Sequence, residues 1–221
     1  MYGAYKFLDA EHVDSMMSGR IRLGSLDSYR KVEDPSIRDE FEGRQVLFQS
    51  QTIRVQQGLS VNPYRSNLIK VGIGTNGPVN LIASGNQAIR SAPRMHIFCY
   101  SEGLLDDLAS YWSGRTGCIQ LLDPDKLMRT MLDYGRVTVS AQETGTKPIF
   151  THVERGPVMY DAAPVDFSKT WIPPASGFKK RREFAAEKES RFAFCNRFEN
   201  LPDVIFLTIP NPSDHFVVIK R

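Results

Sequence analysis

Two glutamates, Glu187 and Glu189, stand one residue apart in the stretch FKKRREFAAEKESRFAF (178–194), with Arg191 two residues further on. Read as a strand, residues 187–194 place Glu187, Glu189 and Arg191 on one face and Phe192 and Phe194 on the other. An apolar back behind two carboxylates and a guanidinium suits the floor of a cleft. Carboxylates at close range raise one another's proton affinity, and a nearby guanidinium opposes this. Such a pair can serve glycosidic chemistry, one carboxylate stabilising an oxocarbenium-like transition state while a second group handles a proton. The same residues read differently as a helix. REFAAEKE has high helix propensity, and spacing alone favours two solvated glutamates at a helix end.

Other candidate chemistry is sparse. The cysteines, Cys99, Cys118 and Cys195, are odd in number and unpaired in spacing, which argues against a disulfide framework and a zinc site. Each has apolar neighbours and reads as a small buried hydrophobe. The histidines, His12, His96, His152 and His215, show no HxxxH or HxH pairing, so no metal site is expected. Net charge is +3, too mild to imply a nucleic-acid partner by itself. The basic run Lys179-Lys180-Arg181-Arg182 directly precedes the glutamates and reads by default as a solvated face.

With 221 residues, 41% hydrophobic and 24% charged, the chain can bury one good core. No apolar run approaches the roughly 20 residues that span a bilayer. The start, MYGAYK, lacks a signal peptide's basic and apolar segments. A cytoplasmic protein without a membrane partner is expected.

The elements that must position the glutamates are mostly strands. YKFL reads as a strand, Asp9 as an N-cap with Leu8 and Val13 as a hydrophobic staple, Val13, Met16 and Met17 as a helix stripe, Gly19 as its C-terminal glycine and RIRL as the next strand. Residues 27–43 read as a charged loop, QVLFQSQTIRV and NLIKVGIG as β runs, and 84–92 as helix or loop. RMHIFCYS is a buried strand, LLDDLASYW a helix, TGCIQLL a strand, and DPDKLMRTML a helix capped by Asp123 with Pro124 in its first turn. RVTVS and GPVMYD follow as strands, 161–177 as a proline-bearing loop, 178–186 as a helix, and ESRFAF, DVIFLTIP and HFVVIK as closing strands. One α+β domain over 1–221 is the expectation, with strands dominating.

Taken in order, four segments carry a resemblance. YKFLDAEHVDSMMSGRIRLGS resembles the opening of ADP-ribosyltransferase-like folds. Arg38-Asp39-Glu40-Phe41-Glu42 is similar to the NDPFE motif of a bacterial group with a Y-[KR]-[FY] start, without its Asn and Pro. IFCYSEG and LASYWSGRTGCIQL resemble that group's FS…W-x-x-Y segment, with Trp and Tyr rearranged. FKKRREFAAEKESRFAF resembles its W-x-x-E-x-E-x-R ending, with Phe184 in place of Trp. The resemblance implies a split β-sandwich holding NAD in a central cleft, with NAD as substrate and no metal. It implies Glu189 on the ribose hydroxyls, Glu187 acting on the attacking group, and Ser101 supporting the glutamate or ribose. Lys6 or Arg22 would meet the pyrophosphate, and Tyr111 or Trp112 would stack on nicotinamide. Asp39 and Glu42 would brace the cleft, and Arg191 would hold the glutamate face. It further implies a bacterial toxin or phage-defence effector that modifies a nucleic acid or a protein. Lys179–Arg182 would then be a target-recognition turn, with an antitoxin as a further partner. An NAD hydrolase and a non-catalytic binding module of the same fold are the alternatives.

Overall fold

The computed structural model describes residues 1–31, 94–139, 142–160, 177–198 and 200–220, together with the backbone of 44–48, 87–91 and 165–166. The chain opens with strand β1 (Tyr2–Leu8), helix α1 (Ala10–Met17) and strand β2 (Arg20–Ser25), in the expected order. Leu8 and Val13 meet in the main core as a staple. Asp9 holds the N-cap position, yet its side chain does not cap. Its two oxygens accept from Arg115 Nη1 at 3.1 and 3.0 Å, and Thr116 Oγ1 takes the Ala10 N–H at 2.9 Å. A neighbouring segment thus satisfies the helix end and frees the carboxylate for an ion pair. Gly19 adopts φ +86°, and a Cβ there would stand 2.5 Å from the Ile209 carbonyl oxygen. Backbone conformation and close packing both demand glycine.

The spine of the main sheet is β5 (Met95–Leu104). Along one edge it pairs with β11 (Glu189–Asn196), which in turn pairs with β9 (Phe150–Pro157). Its other edge is shared. The C-terminal part of β5 pairs with β1, from Tyr2↔Leu104 to Tyr5↔Ser101. Its N-terminal part pairs with β2, at Gly24↔Ile97 and Ser25↔His96. Residues 98–100 face the gap between these pairings, so the sheet forks there. One arm continues from β1 through β6 (Gly117–Leu121) to β13 (Phe216–Lys220). The other runs from β2 through β12 (Val204–Thr208) and β7 (Arg136–Val139) to β8 (Gln142–Gly145). Every pairing in this sheet is antiparallel. A second, three-stranded sheet joins β3 (Arg44–Phe48) to β4 (Gln87–Ser91) antiparallel and to β10 (Val165–Asp166) parallel. The remaining helices are short: α2 (Leu26–Arg30), α3 (Leu105–Tyr111), α4 (Pro124–Asp133) and α5 (Thr146–Ile149). The architecture is α+β, mostly antiparallel sheet with few helices.

Alternation along β2, β5 and β11 sends Ile21, Leu23, Phe98, Tyr100, Phe192 and Phe194 into the main core. Phe98 and Phe192 stack there at 5.6 Å, and Tyr100 lies 5.3 Å from Phe192. Asp123 caps α4 as expected, its carboxylate accepting the Lys126 N–H at 2.9 Å. Several expectations are corrected. Residues 26–30 form a helix rather than a loop, because Ser25 Oγ accepts the Ser28 N–H at 3.0 Å. Residues 87–91 are a strand, not helix or loop. The expected strand GPVMYD supplies only Gly156 and Pro157 to β9, whose polar THVER stretch takes its extended form from pairing with β11. Beyond 44–48, the expected runs QTIRV and NLIKVGIG lie outside the described residues, as do Asp39 and Glu42 and most of the proline-bearing loop.

Candidate active site

Register places the key residues. Tyr5 and Glu189 both oppose Ser101, from opposite edges of β5, and Arg191 opposes Cys99. Opposed residues share a face, so Tyr5, Ser101 and Glu189 form a row across three strands beside the fork. Glu187 is not on the strand. It ends a 3-10 helix, Arg182–Glu187, and Lys188 then turns the chain in a left-handed conformation at φ 45°. The expected strand over 187–194 is therefore corrected to begin at Glu189, and the expected helix over 178–186 to this shorter 3-10 turn. The solvated helix-end reading is also overturned. Glu187 is 1% exposed and Glu189 6%.

The carboxylates are brought together by cations. Lys180 Nζ donates to Glu187 Oε2 at 2.6 Å and to Glu189 Oε2 at 3.2 Å. Arg191, fully buried, gives Nε to Glu189 Oε1 at 2.6 Å and Nη2 to Oε2 at 3.2 Å, and its Nη1 donates to the Gly177 carbonyl. The Glu189 N–H donates to Tyr160 Oη at 2.7 Å. Phe184 lies under Lys180, whose ammonium sits 4.8 Å from the ring centroid. Glu187 Oε1 is buried with no hydrogen-bond partner among the described residues.

These surroundings drive the two proton affinities apart. Burial first, and then the charge of Glu189, push Glu187 up to about 8 against the pull of Lys180. Burial would raise Glu189 as well, but Arg191 and then Lys180 outweigh it and hold its carboxyl well below the ordinary carboxylate range. The surroundings thus favour the ionised form of Glu189 and the protonated form of Glu187.

Both glutamates line a cleft of about 660 Å³ that also takes in Ser101, Lys6, Arg22 and Trp112. From the β1 arm come Phe7, Lys6 and Asp9; from the β2 arm come Arg20, Arg22 and Phe206. Trp112 lies nearly parallel to Phe7, with centroids 6.3 Å apart, and donates Nε1–H to Ser101 Oγ at 3.3 Å. Tyr111 stands behind it, edge to face at 5.0 Å, and is not a lining residue. Arg20 covers the Phe206 ring at 3.9 Å. Lys6 is already engaged: its ammonium donates to the Cys99 carbonyl at 2.6 Å, in the gap of the fork, and burial lowers its proton affinity.

The structure thus gathers Glu187, Glu189, Ser101, Lys6, Arg22 and Trp112 in one cleft. Lys180 was missed. It reads as part of a solvated basic run, yet it is 7% exposed and bridges both glutamates. Nothing in KKRR marks which lysine turns inward; the Lys180 N–H donates to the Met159 carbonyl at 3.1 Å, a contact from outside the run. Arg182 stays exposed, and Arg181 pairs with Glu183 at 3.0 Å. Arg20 was legible as the partner of Arg22 at period two on β2. Tyr160 and Arg115 carry no local signal. The chain matches no family model, no curated protein and no solved structure.

Proposed function

We propose that the chain is an ADP-ribosyltransferase of split β-sandwich type that uses NAD as substrate, acting as a bacterial toxin or phage-defence effector on a nucleic acid or a protein. The observation that carries this reading is the pair of adjacent buried carboxylates with opposed proton affinities at the fork of the sheet. Breaking the nicotinamide–ribose bond leaves positive charge on the ribose. Glu189, whose surroundings favour the ionised form, supplies the fixed negative charge that favours that state. Glu187 supplies the proton acceptor for the attacking group, and its Oε1 has no hydrogen-bond partner among the described residues. Arg22 and Arg20 offer fixed positive charge to a diphosphate. The flat surface of Trp112 suits an aromatic ring, with Ser101 fixed at its edge. A cleft of about 660 Å³ falls in the range of small-molecule and cofactor sites.

One observation favours a second reading, a binding module without turnover: both Glu189 oxygens are occupied by Arg191 and Lys180. The test is nicotinamide release from NAD by the purified protein, with and without total RNA, DNA and protein, beside Glu189→Gln. Acceptor-dependent release that vanishes in the variant supports the transferase and identifies its target class. Acceptor-independent release points to an NAD hydrolase. NAD binding without release supports the binding module, and a folded protein that neither binds nor cleaves NAD refutes all three.

A further inference from the structure

Away from the cleft, β9 and β11 bring three metal-ligating side chains to one face of the sheet. His152 opposes Cys195 and Glu154 opposes Ala193. Opposed and alternate residues share a face, so imidazole, carboxylate and thiol stand together. One donor atom of each lies within 4.8 Å of the other two. Cys195 is six residues along β11 from Glu189, roughly 20 Å away.

The hydrogen bonds around His152 leave a gap in the accounting. Its Nδ1 lies 3.1 Å from Thr151 Oγ1, and its Nε2 lies 3.2 Å from Glu154 Oε1. Thr151 Oγ1 donates its one proton to the Cys195 carbonyl at 3.2 Å. Nδ1 is then the N–H that donates to Thr151, and a neutral imidazole presents its Nε2 lone pair to a carboxylate oxygen. Two lone pairs at that distance call for a positive species, either a second ring proton or a bound cation. The same Thr151 contact fixes the tautomer and aims Nε2, as an outer-shell partner does for a ligating histidine.

We propose that His152 Nε2, the Glu154 carboxylate and Cys195 Sγ bind a divalent cation of the zinc class, with a fourth position open to water. Cysteine, histidine and carboxylate in a compact set select zinc-like ions. Ligands on a tetrahedral zinc sit roughly 3.3–3.8 Å apart, given bonds of about 2.0–2.3 Å. His152 Nε2 and Glu154 Oε1, 3.2 Å apart, stand just inside that spacing, and both side chains are exposed. Cys195 closes the last ångström from its half-buried position. Binding replaces the thiol proton, which leaves to solvent as the sulfur–metal bond forms. Among the described residues β9 pairs with β11 alone, so the ion ties an edge strand to its neighbour.

The test is a cobalt(II) titration of the chelator-treated full chain, followed through the thiolate-to-cobalt charge-transfer band. One equivalent should raise the band, and zinc should displace it. Cys195→Ser should abolish it. His152→Gln and Glu154→Gln, both exposed and so foldable, should each weaken binding at least about tenfold. No band in the wild type overturns the proposal, as does a band retained in Cys195→Ser or binding unchanged in both glutamine variants.

Discussion

Replacing Glu187 by Gln tests the electrostatic core of the site without relying on any substrate. The carboxyl has an ordinary value of 4.5 and is pushed up to about 8 in the folded chain. Between those values the unfolded chain has lost this proton and the folded chain keeps it. The folded state then binds more protons than the unfolded one, so stability falls as pH rises through that window. Each pH unit costs about 1.4 kcal/mol while the two states differ by a full proton. Allowing for partial titration at both ends, the loss from pH 5 to pH 8 comes to about 3–4 kcal/mol. The glutamine cannot titrate, so its variant should lack this component. Urea unfolding of both proteins at pH 5 and pH 8 gives the double difference, in which every other titrating group cancels to first order. The expected result is that Glu187→Gln gains about 3–4 kcal/mol relative to wild type between the two pH values. Parallel pH dependences would refute the reasoning. They would mean that Lys180, 2.6 Å away, keeps Glu187 ionised throughout and that the two glutamates do not divide their roles by proton affinity.

If Glu187 is the proton acceptor, turnover of NAD should rise with pH toward a plateau beyond about 8, and a pH–rate profile of the wild type measures this. Glu189→Gln should abolish nicotinamide release and also destabilise the fold by about 3–5 kcal/mol, because buried Arg191 loses its ionised partner; a thermal melt separates the two effects. Gly19→Ala should cost at least about 1–2 kcal/mol in denaturant unfolding, from the left-handed backbone and the Ile209 carbonyl together.

The parts of this molecule legible in sequence are those set by short-range rules. Asp123-Pro124 at the start of α4, Gly19 after α1 and the apolar alternation of ESRFAF each report a local constraint, and each is met. Asp9 shows where that logic stops. Its type and position mark a cap, but Arg115, more than a hundred residues away, offers a charge-assisted bond instead. The same holds for the site. Alternation correctly places Glu189 and Arg191 on one face, whereas Glu187 reaches the site through a left-handed turn at Lys188, which no periodicity encodes. Lys180 and Tyr160 join by tertiary contact alone. The His152, Glu154 and Cys195 cluster is invisible to motif reading for the same reason: its ligands converge only through the register of β9 on β11.

The cost of this ion cluster bears on which glutamate meets a ligand. A carboxylate has about four lone-pair directions. For Glu189, Arg191 uses one on each oxygen, Lys180 uses another, and the Cys99 thiol also bonds to it. A ligand hydroxyl can reach Glu189 only by displacing one of them, and Arg191, fully buried and also bound to the Gly177 carbonyl, is the hardest to move. Glu187 has the opposite balance. Lys180 holds one of its oxygens, and the other is buried with no hydrogen-bond partner among the described residues. Both glutamates line the cleft. On the transferase reading proposed above, Glu189 would serve as a fixed charge that sets the field, and Glu187 as the group that touches what enters. That division reverses the order of importance an ExE pair suggests when its second glutamate is taken as the principal one.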